Sequence, residues 1–503
     1  MASVVRRRRH PEFSRAVSQA YIAPHTDICV ERRWSLVSKL LQPLTTRDYN
    51  AKKGGISMTQ ANRWLKILAP LAILMTILAA CGGAAAPSGG TAPTAAPAGG
   101  GTAPTAAAGG GQAAAGKLEI FSWWTNGGEA DGLNAMFDIY KKQNSGVEII
   151  NATVAGGAGT NAKAVLQTRL QGGQPPDSWQ VHAGRETLSY VDQLQPLTSF
   201  FKEQGFDKVM PKLLLDQLNI KGEIWTVPVN IHRANILWYN PKVFKDNGLE
   251  PPKTLDDFFK VADALKAKNI TPLAVGGKDG FEASHLFDQV LLATFGPDDY
   301  PKLFSGDAAI WADPRVATAI DTMGKMLGYA NKDRSALGWA DAAQLVLDGK
   351  AGMTIMGDWA EGYFKSKGAK PNEGFGWVAA PGTDGIFMWL SDSFGLAKGA
   401  PHPDQATAWL KLIGSKDGQD AFNPKKGSIP ARTDADKSLY DDYLKWSIDQ
   451  FSTDKLAPSA AHGAATTNAY QTPYHKALEV FSSDLDAKAL TQSLKDLVGE
   501  LSK

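Results

Sequence analysis

Alternating strands and helices between residues 117 and 182 constrain the fold more than any other feature of this chain. Residues 117–124, 147–154 and 178–182 are typical of strands, and residues 129–143 and 161–171 have the apolar spacing of helices. Strands separated by helices of this length predict βαβ units, and therefore an α/β fold with a mostly parallel sheet. The same reasoning predicts two helices and two strands later in the chain, at 256–268, 342–349, 351–356 and 393–397.

The chain before residue 117 is expected to direct export rather than to fold. Met58 opens a short basic region, and residues 67–80 then form an apolar run of 14 residues, which suits a signal peptide better than a membrane span. The run ends in Leu-Ala-Ala-Cys, which resembles a bacterial lipobox and implies cleavage before Cys81 and lipid attachment to its thiol. Residues 58–81 are thus a predicted lipoprotein signal peptide, with an uncleaved signal anchor as the alternative.

The segments on either side of this signal have separate interpretations. Residues 1–57 precede a complete export signal, so we interpret them as an over-called extension, with Met58 as the true start. Residues 82–116 contain mainly Gly, Ala, Pro and Thr and predict a flexible tether. The expected product is an exported protein, held by lipid on the outer face of the cytoplasmic membrane.

Charge and cysteine content exclude several classes of function. The whole chain has a formal net charge of +2, but residues 81–503 hold 40 Lys and Arg against 47 Asp and Glu, a net charge of −7. An acidic chain without a basic stripe is a poor partner for nucleic acid. The two cysteines, Cys29 and Cys81, lie outside the expected fold, which excludes an internal disulfide and a cysteine-based zinc site.

A glycine-rich stretch invites a nucleotide-binding interpretation that its position does not favour. Gly157-Ala-Gly-Thr-Asn-Ala162 matches the loose GxGxxA form of a dinucleotide fingerprint. It follows the second predicted strand rather than the first, however, and its glycines serve any tight turn between a strand and a helix. We therefore expect a plain turn here.

The tryptophans suggest a ligand with apolar faces. Twelve of them follow Cys81, and two are adjacent, at Trp123 and Trp124. Neighbouring strand residues point to opposite faces, so only one of the pair can face a cleft. We expect Trp124 to do so, as the last strand residue before a loop; the alternative places Trp123 in the cleft and Trp124 in the core. Aromatic rings cover the C–H faces of a hexose, while carboxylates, amides and histidines bind its hydroxyls.

Five stretches together resemble the bacterial extracellular solute-binding proteins of ABC importers. The resemblance is to the sugar-binding group that includes maltose-binding protein, and especially to glucose/galactose/mannose-binding members from thermophilic bacteria. It implies a two-lobe, periplasmic-binding-protein-like α/β fold of type II, with the ligand cleft between the lobes. The stretches are LEIFSWWTNGGE, TVAGGAGTNAKAVLQTRLQGGQPPDSWQVHAG, VNIHRANILWYNPKVF, LDGKAGMTIMGDWAEGYF and KKGSIPAR.

The resemblance also implies boundaries and a role. One lobe would hold residues 117–229 and about 381–430, and the other about 230–380 and 431–503. The protein would bind a monosaccharide, glucose or a close epimer, and deliver it to ABC permease subunits. We expect a monomer without a cofactor or a catalytic step.

The predicted ligand-binding residues come partly from position and partly from the resemblance. Gln180 and His182 share one face of a short strand, although a structural histidine is the alternative. The resemblance implies that Glu129 accepts from sugar hydroxyls, whereas an acid at a helix start also favours the helix dipole. Asn230 and His232 rank below the main set. In that set the resemblance implies a stacking role for Trp339 and Trp359, and His462 lies among small neighbours. The complete set is Trp124, Glu129, Gln180, His182, Trp339, Trp359, Asp392, Lys426 and His462.

Other functions remain as alternatives. Glu129 and Asp392 beside tryptophans would suit a glycoside hydrolase, although no recognisable motif contains a general acid. An oligosaccharide or glycerol-phosphate ligand is possible within the same family, but a phosphate calls for an arginine cluster, and only Arg233 and Arg432 lie near the candidate sites. A metal receptor has no HExxH motif to support it; its candidate ligands are His182, His232, His285, His402 and His462.

Overall fold

The computed structural model describes residues 116–502. The predicted signal peptide with Cys81, the extension 1–57 and residues 82–115 of the tether lie outside the described residues. The strands are β1 Lys117–Phe121, β2 Glu148–Asn151, β3 Ser178–His182, β4 Asn219–Ile220, β5 Glu223–Ile224, β6 Thr226–Pro228, β7 Asn230–Arg233, β8 Ile236–Tyr239, β9 Thr271–Ala274, β10 Ala351–Ile355, β11 Gly376–Ala379, β12 Ile386–Leu390, β13 Asp392–Leu396, β14 Ile429–Pro430 and β15 Lys455–Pro458.

The helices lie between and around these strands. They are α1 Gly127–Gln143, α2 Thr160–Gln171, α3 Thr198–Glu203, α4 Lys212–Leu218, α5 Pro241–Asp246, α6 Leu255–Ala267, α7 Glu282–Asp299, α8 Pro314–Leu327, α9 Trp339–Leu347, α10 Trp359–Ser366, α11 Pro403–Gly414, α12 Lys416–Lys426, α13 Asp442–Thr453, α14 Asn468–Asp484 and α15 Ala487–Asp496. Among the described residues, none of these helices combines the length and the apolar character that a membrane crossing requires.

The first sheet has the strand order β2-β1-β3-β13-β6. Strand β1 pairs in parallel with β2 and β3, and α1 and α2 connect them, which confirms the βαβ pattern predicted from the sequence. Strand β13 pairs antiparallel with both β3 and β6. The sheet is therefore mixed rather than mostly parallel, because a strand from much later in the chain returns to it in the opposite direction.

Two further sheets complete the fold. The second has the order β11-β8-β10-β9 and the third β14-β7-β12-β15, while β4 and β5 form a short hairpin. Both larger sheets contain parallel and antiparallel pairs. The chain passes from the first sheet through the third to the second between β6 and β8, and it returns by the same route between β11 and β13. These crossings give the two-lobe α/β architecture.

The polar residues of the crossings are buried. Asn230 and His232 on β7 and Asp392 at the start of β13 expose 2% of their surface or less. Asn230 accepts from the backbone N–H of Asp392 at 2.8 Å through its side-chain oxygen. Buried polar groups require hydrogen-bond partners, and the crossing segments supply them to one another. Their polar side chains therefore lie together where the sheets meet.

Candidate functional site

The adjacent tryptophans separate because β1 ends at Phe121, earlier than the sequence pattern indicates. Trp123 lines a central cavity. Trp124 is 1% exposed and packs against Phe394 and Phe422, with ring centroids 5.4 and 4.7 Å away. The structure thus places Trp123 in the cavity wall and Trp124 in the core, the reverse of the arrangement we expected. The strand periodicity does not apply to either residue, since both follow the strand.

An ion pair forms one side of the cavity. Glu129 lies in the first turn of α1, and Lys426 ends α12 and donates to its Oε1 at 2.7 Å. Burial raises the pKa of Glu129, and the charge of Lys426 opposes that shift. The Lys426 ammonium also lies 5.8 Å from the Trp124 ring and 5.9 Å from the Trp359 ring. One cation therefore connects the acid at a helix start with the aromatic wall.

His182 is oriented by a buried carboxylate. Its Nδ1 lies 2.7 Å from Glu186 Oε2, and the same oxygen accepts from Lys163 Nζ at 2.8 Å. Although burial opposes ionisation, the charges of Lys163 and His182 lower the pKa of Glu186 to about 2. The His182 ring faces Trp123 with centroids 5.1 Å apart. Glu186 carries no local sequence signal, because its role depends on three segments meeting in space.

Asp392 is the most heavily bonded group of the site. Gln180 Nε2 donates to its Oδ1 at 2.9 Å, and Asn230 Nδ2 and His232 Nε2 each lie 2.9 Å from its Oδ2. Burial alone would raise the pKa of this carboxyl, but hydrogen bonding and the charge of His232 hold it well below its usual range. Asp392 is therefore ionised and fixed in position.

Gln180 has a supporting position rather than a place in the cavity wall. Its Nε2 holds Asp392, and its Oε1 accepts from the backbone N–H of Trp123 at 3.2 Å. The residues that line the cavity include His182, two positions further along β3, but not Gln180. The Gln180 amide thus bonds Asp392 on β13 and the backbone of Trp123 after β1, and it holds both residues at the edge of the cavity.

His232 lies between two carboxylates. Its Nδ1 contacts Asp358 Oδ1 and its Nε2 contacts Asp392 Oδ2. Burial disfavours the imidazolium, but the charge of Asp358 and both hydrogen bonds outweigh burial and raise the pKa of His232. Asp358 also accepts from the backbone N–H of Arg233 at 2.8 Å. A histidine that ranked low in the sequence analysis therefore connects the second lobe to Asp392.

The opposite wall is aromatic. Trp339 and Trp359 are the first residues of α9 and α10, and Phe281 directly precedes α7. The His462 ring lies 5.1 Å from Trp359 and 5.5 Å from Phe281, centroid to centroid. His462 Nε2 also lies 2.9 Å from His285 Nδ1. Burial and the neighbouring histidines keep the pKa of His462 well below its ordinary value, so its ring is neutral.

These walls enclose a space of about 440 Å³. Seven of the nine predicted residues line it: Glu129, His182, Trp339, Trp359, Asp392, Lys426 and His462. Trp124 and Gln180 stand behind the wall. The lining also includes residues outside the predicted set, and among them Phe281 carries no local sequence signal. They are Trp123, Thr125, Asn126, Gly156, Gly157, Ala158, His232, Phe281 and Leu390.

The histidines that were candidate metal ligands contact other side chains and do not converge on one point. His285 and His462 contact each other, while His402 bonds Asp177 at 3.0 Å, outside the cavity lining. Among residues 116–502, no group of three His, Cys, Asp or Glu side chains is arranged to hold a metal ion.

A two-lobe α/β fold with a buried cleft between its sheets defines a class of ligand-binding proteins. The family of bacterial extracellular solute-binding proteins matches residues 121–420. This chain belongs to that family. Ligands of α/β proteins bind in the crevice beyond the ends of the strands, and the cavity of this chain lies in that position, beside the crossings.

Relatives and solved structures support the assignment. An uncharacterized ABC transporter extracellular-binding protein of Pyrococcus horikoshii is 38% identical over 392 residues, covering 76% of this chain and 88% of the relative. A probable sugar-binding periplasmic protein of Brucella melitensis is 35% identical over 394 residues, covering 76% and 91%. The bacterial solute receptor AcbH, described as exclusive for β-D-galactopyranose, shares the fold with a TM-score of 0.67 at 19% identity, covering 77% of this chain and 99% of its own.

Proposed function

We propose that this protein is the substrate-binding component of an ABC carbohydrate importer and that it binds a monosaccharide, glucose or a close epimer. One observation carries the proposal: the 440 Å³ cavity combines aromatic walls with polar groups between them. The probable sugar-binding relative from Brucella melitensis supports the ligand class.

The chemistry of the lining fits a pyranose. The rings of Trp123, Trp339 and Trp359 offer flat apolar surfaces for the C–H faces of a sugar. Glu129 and Asp392 keep lone pairs beside those used by their protein partners, and these can accept from hydroxyls in charge-assisted bonds, which are the stronger ones. A micromolar dissociation constant needs about −8 kcal/mol, which two aromatic faces and several such bonds are enough to supply.

The rival ligands fit the same cavity less well. A glycerol-phosphate calls for guanidinium groups, but the lining contains Lys426 and no arginine, and Lys426 is already paired with Glu129. A glycoside hydrolase needs a carboxylate free to attack the sugar or to activate water. The oxygens of Asp392 already accept from Gln180, Asn230 and His232. We therefore favour binding without chemistry.

The setting of this site is also part of the proposal. Lipid attached at Cys81 would hold the protein on the outer face of the cytoplasmic membrane, with residues 82–116 as the tether. The lobes would meet at the crossings, near residues 229–230, 380–381 and 430–431. A monomer would close on its sugar, because a ligand that contacts both lobes binds the closed form better than the open form. The closed form would then deliver the sugar to the permease.

A sugar titration tests the function. Intrinsic tryptophan fluorescence and calorimetry are followed as glucose, galactose, mannose and maltose are added to residues 82–503. We expect one of the three monosaccharides to bind with a micromolar constant and His182→Ala to weaken it. The exposed Lys212→Ala serves as the control, since Lys212 pairs with Asp216 on the surface. If none of the four sugars changes either signal, the proposal is wrong.

A further inference from the structure

A second and larger cavity lies beside the candidate sugar site. Its volume is about 1270 Å³, and its wall includes the polar side chains of Lys163, Gln471 and His475. Ala158 lines both cavities. These polar side chains stand in a largely apolar wall and offer partners for the hydroxyls of further sugar units, so whatever separates the two cavities decides how long a ligand can be.

The partition is the glycine-rich loop at residues 156–159, for which the sequence predicts a plain turn. A Cβ atom at Gly157 would lie 2.3 Å from Phe281 Cε1 and 3.1 Å from Trp339 Cδ1. A Cβ atom at Gly159 would lie 2.7 Å from the Trp123 ring. Because only hydrogen fits at these two positions, the backbone rests directly on the aromatic walls of both lobes.

Bonds on both sides hold this loop in place. The Thr160 hydroxyl lies 3.2 Å from the carbonyl oxygen of Gly157 and 3.0 Å from that of Asp279, in the segment that leads to Phe281. Asn161 Nδ2 donates to the carbonyl of Ala155 at 3.0 Å. The loop is thus tied to its own helix and to the segment it faces across the cleft, and it closes the sugar site on the side of the second cavity.

We propose that the 156–159 loop, through its contact with Phe281, limits the ligand to one pyranose unit by sealing the sugar site from the second cavity. The inference rests on the proposed function, because it concerns the same site. Removing the contact should join the two cavities and give a second sugar unit polar partners. The loop, which forms part of the cavity wall, therefore determines ligand size, and the tryptophans and polar groups of the other walls bind the sugar.

Two variants and one control test this role. Phe281→Ala removes the ring on which the loop rests, and Gly157→Ala forces the ring or the loop to move. Gly172→Ala is the matched control, since its nearest neighbours would be backbone oxygens at 3.4 and 3.5 Å and it lies at the far end of α2. Dissociation constants are measured by calorimetry for glucose, galactose and mannose, and for maltose, cellobiose and melibiose.

We expect the wild type and Gly172→Ala to prefer a monosaccharide over every disaccharide. Phe281→Ala should lower that preference by about tenfold or more, which corresponds to about 1.4 kcal/mol. If the wild type binds a monosaccharide but Phe281→Ala and Gly157→Ala keep the same preference, the partition is refuted and the proposed function stands. If the wild type binds no monosaccharide, the proposed function itself fails. Should Gly157→Ala not fold, Phe281→Ala decides alone.

Discussion

Alanine substitutions at the two adjacent tryptophans should have opposite consequences. Trp124 is 1% exposed and packs against Phe394 and Phe422, so its removal leaves a cavity in the core. Replacing such a residue by alanine costs about 3–5 kcal/mol of stability. We therefore expect Trp124→Ala to lower the free energy of unfolding by about this amount and to leave the sugar affinity of the folded fraction nearly unchanged.

Trp123→Ala should act on binding instead. The Trp123 ring lines the cavity, and its centroid lies 5.1 Å from that of the His182 ring. Its loss removes one of the aromatic surfaces that the ligand would contact. An aromatic contact together with the apolar area it covers is worth about 1–3 kcal/mol. Since each 1.4 kcal/mol is tenfold, the dissociation constant should rise by about 5- to 150-fold.

The two variants serve as controls for each other, because they make the same chemical change at neighbouring positions. Urea unfolding without sugar gives the loss of stability, and calorimetry with the sugar that binds the wild type gives the loss of affinity. The assignment of Trp123 to the site is refuted if Trp124→Ala weakens binding at unchanged stability. It is also refuted if Trp123→Ala lowers stability as much as Trp124→Ala and leaves affinity intact.

Three further predictions concern the polar groups. Lys426→Met leaves Glu129 buried without its cation and should cost about 3–5 kcal/mol. Because Lys426 opposes the upward shift that burial imposes on the pKa of Glu129, its loss raises that pKa further, and urea unfolding should show a larger loss of stability at pH 8 than at pH 5. The pKa of Glu186 is lowered to about 2, so its contribution to stability is present above pH 4.5 and is lost as the pH falls towards 2. Between pH 5 and pH 3, Glu186→Gln should therefore lose less stability than the wild type; an equal loss would contradict this. Gln180→Leu leaves Asp392 Oδ1 without a donor and should cost about 1–3 kcal/mol in urea unfolding, with no cost if the amide is dispensable.

Local sequence patterns predicted the start of the fold well because those elements form from neighbouring residues. The strand Ser178–His182 has the bounds that its apolar pattern indicates, and α1 ends at Gln143 as expected. The mixed pairing of the first sheet did not follow from local patterns, since β13 joins β3 from more than two hundred residues away. Strand direction in a sheet depends on such returns, which periodicity does not report.

The candidate site shows the same division between local and distant information. Trp339 and Trp359 begin helices, after Gly338 and after Gly357-Asp358, and the family resemblance predicted both as ligand-binding residues. Phe281 lines the cavity without any local signal, because its position depends on the loop it meets across the cleft. The exchange of Trp123 and Trp124 arose because β1 ends at Phe121, three residues before the predicted end, so the alternation of strand faces does not extend to either tryptophan.

The bonding of Asp392 explains how a cavity with several charges can bind a neutral sugar. Gln180 holds the carboxylate from β3, and Asn230 and His232 hold it from β7. His232 in turn contacts Asp358, which accepts from the crossing backbone. Each charge is thus compensated and immobilised by the protein before any ligand arrives. Because binding then orders few side chains, most of the energy of sugar contacts remains available for affinity and for closing the lobes.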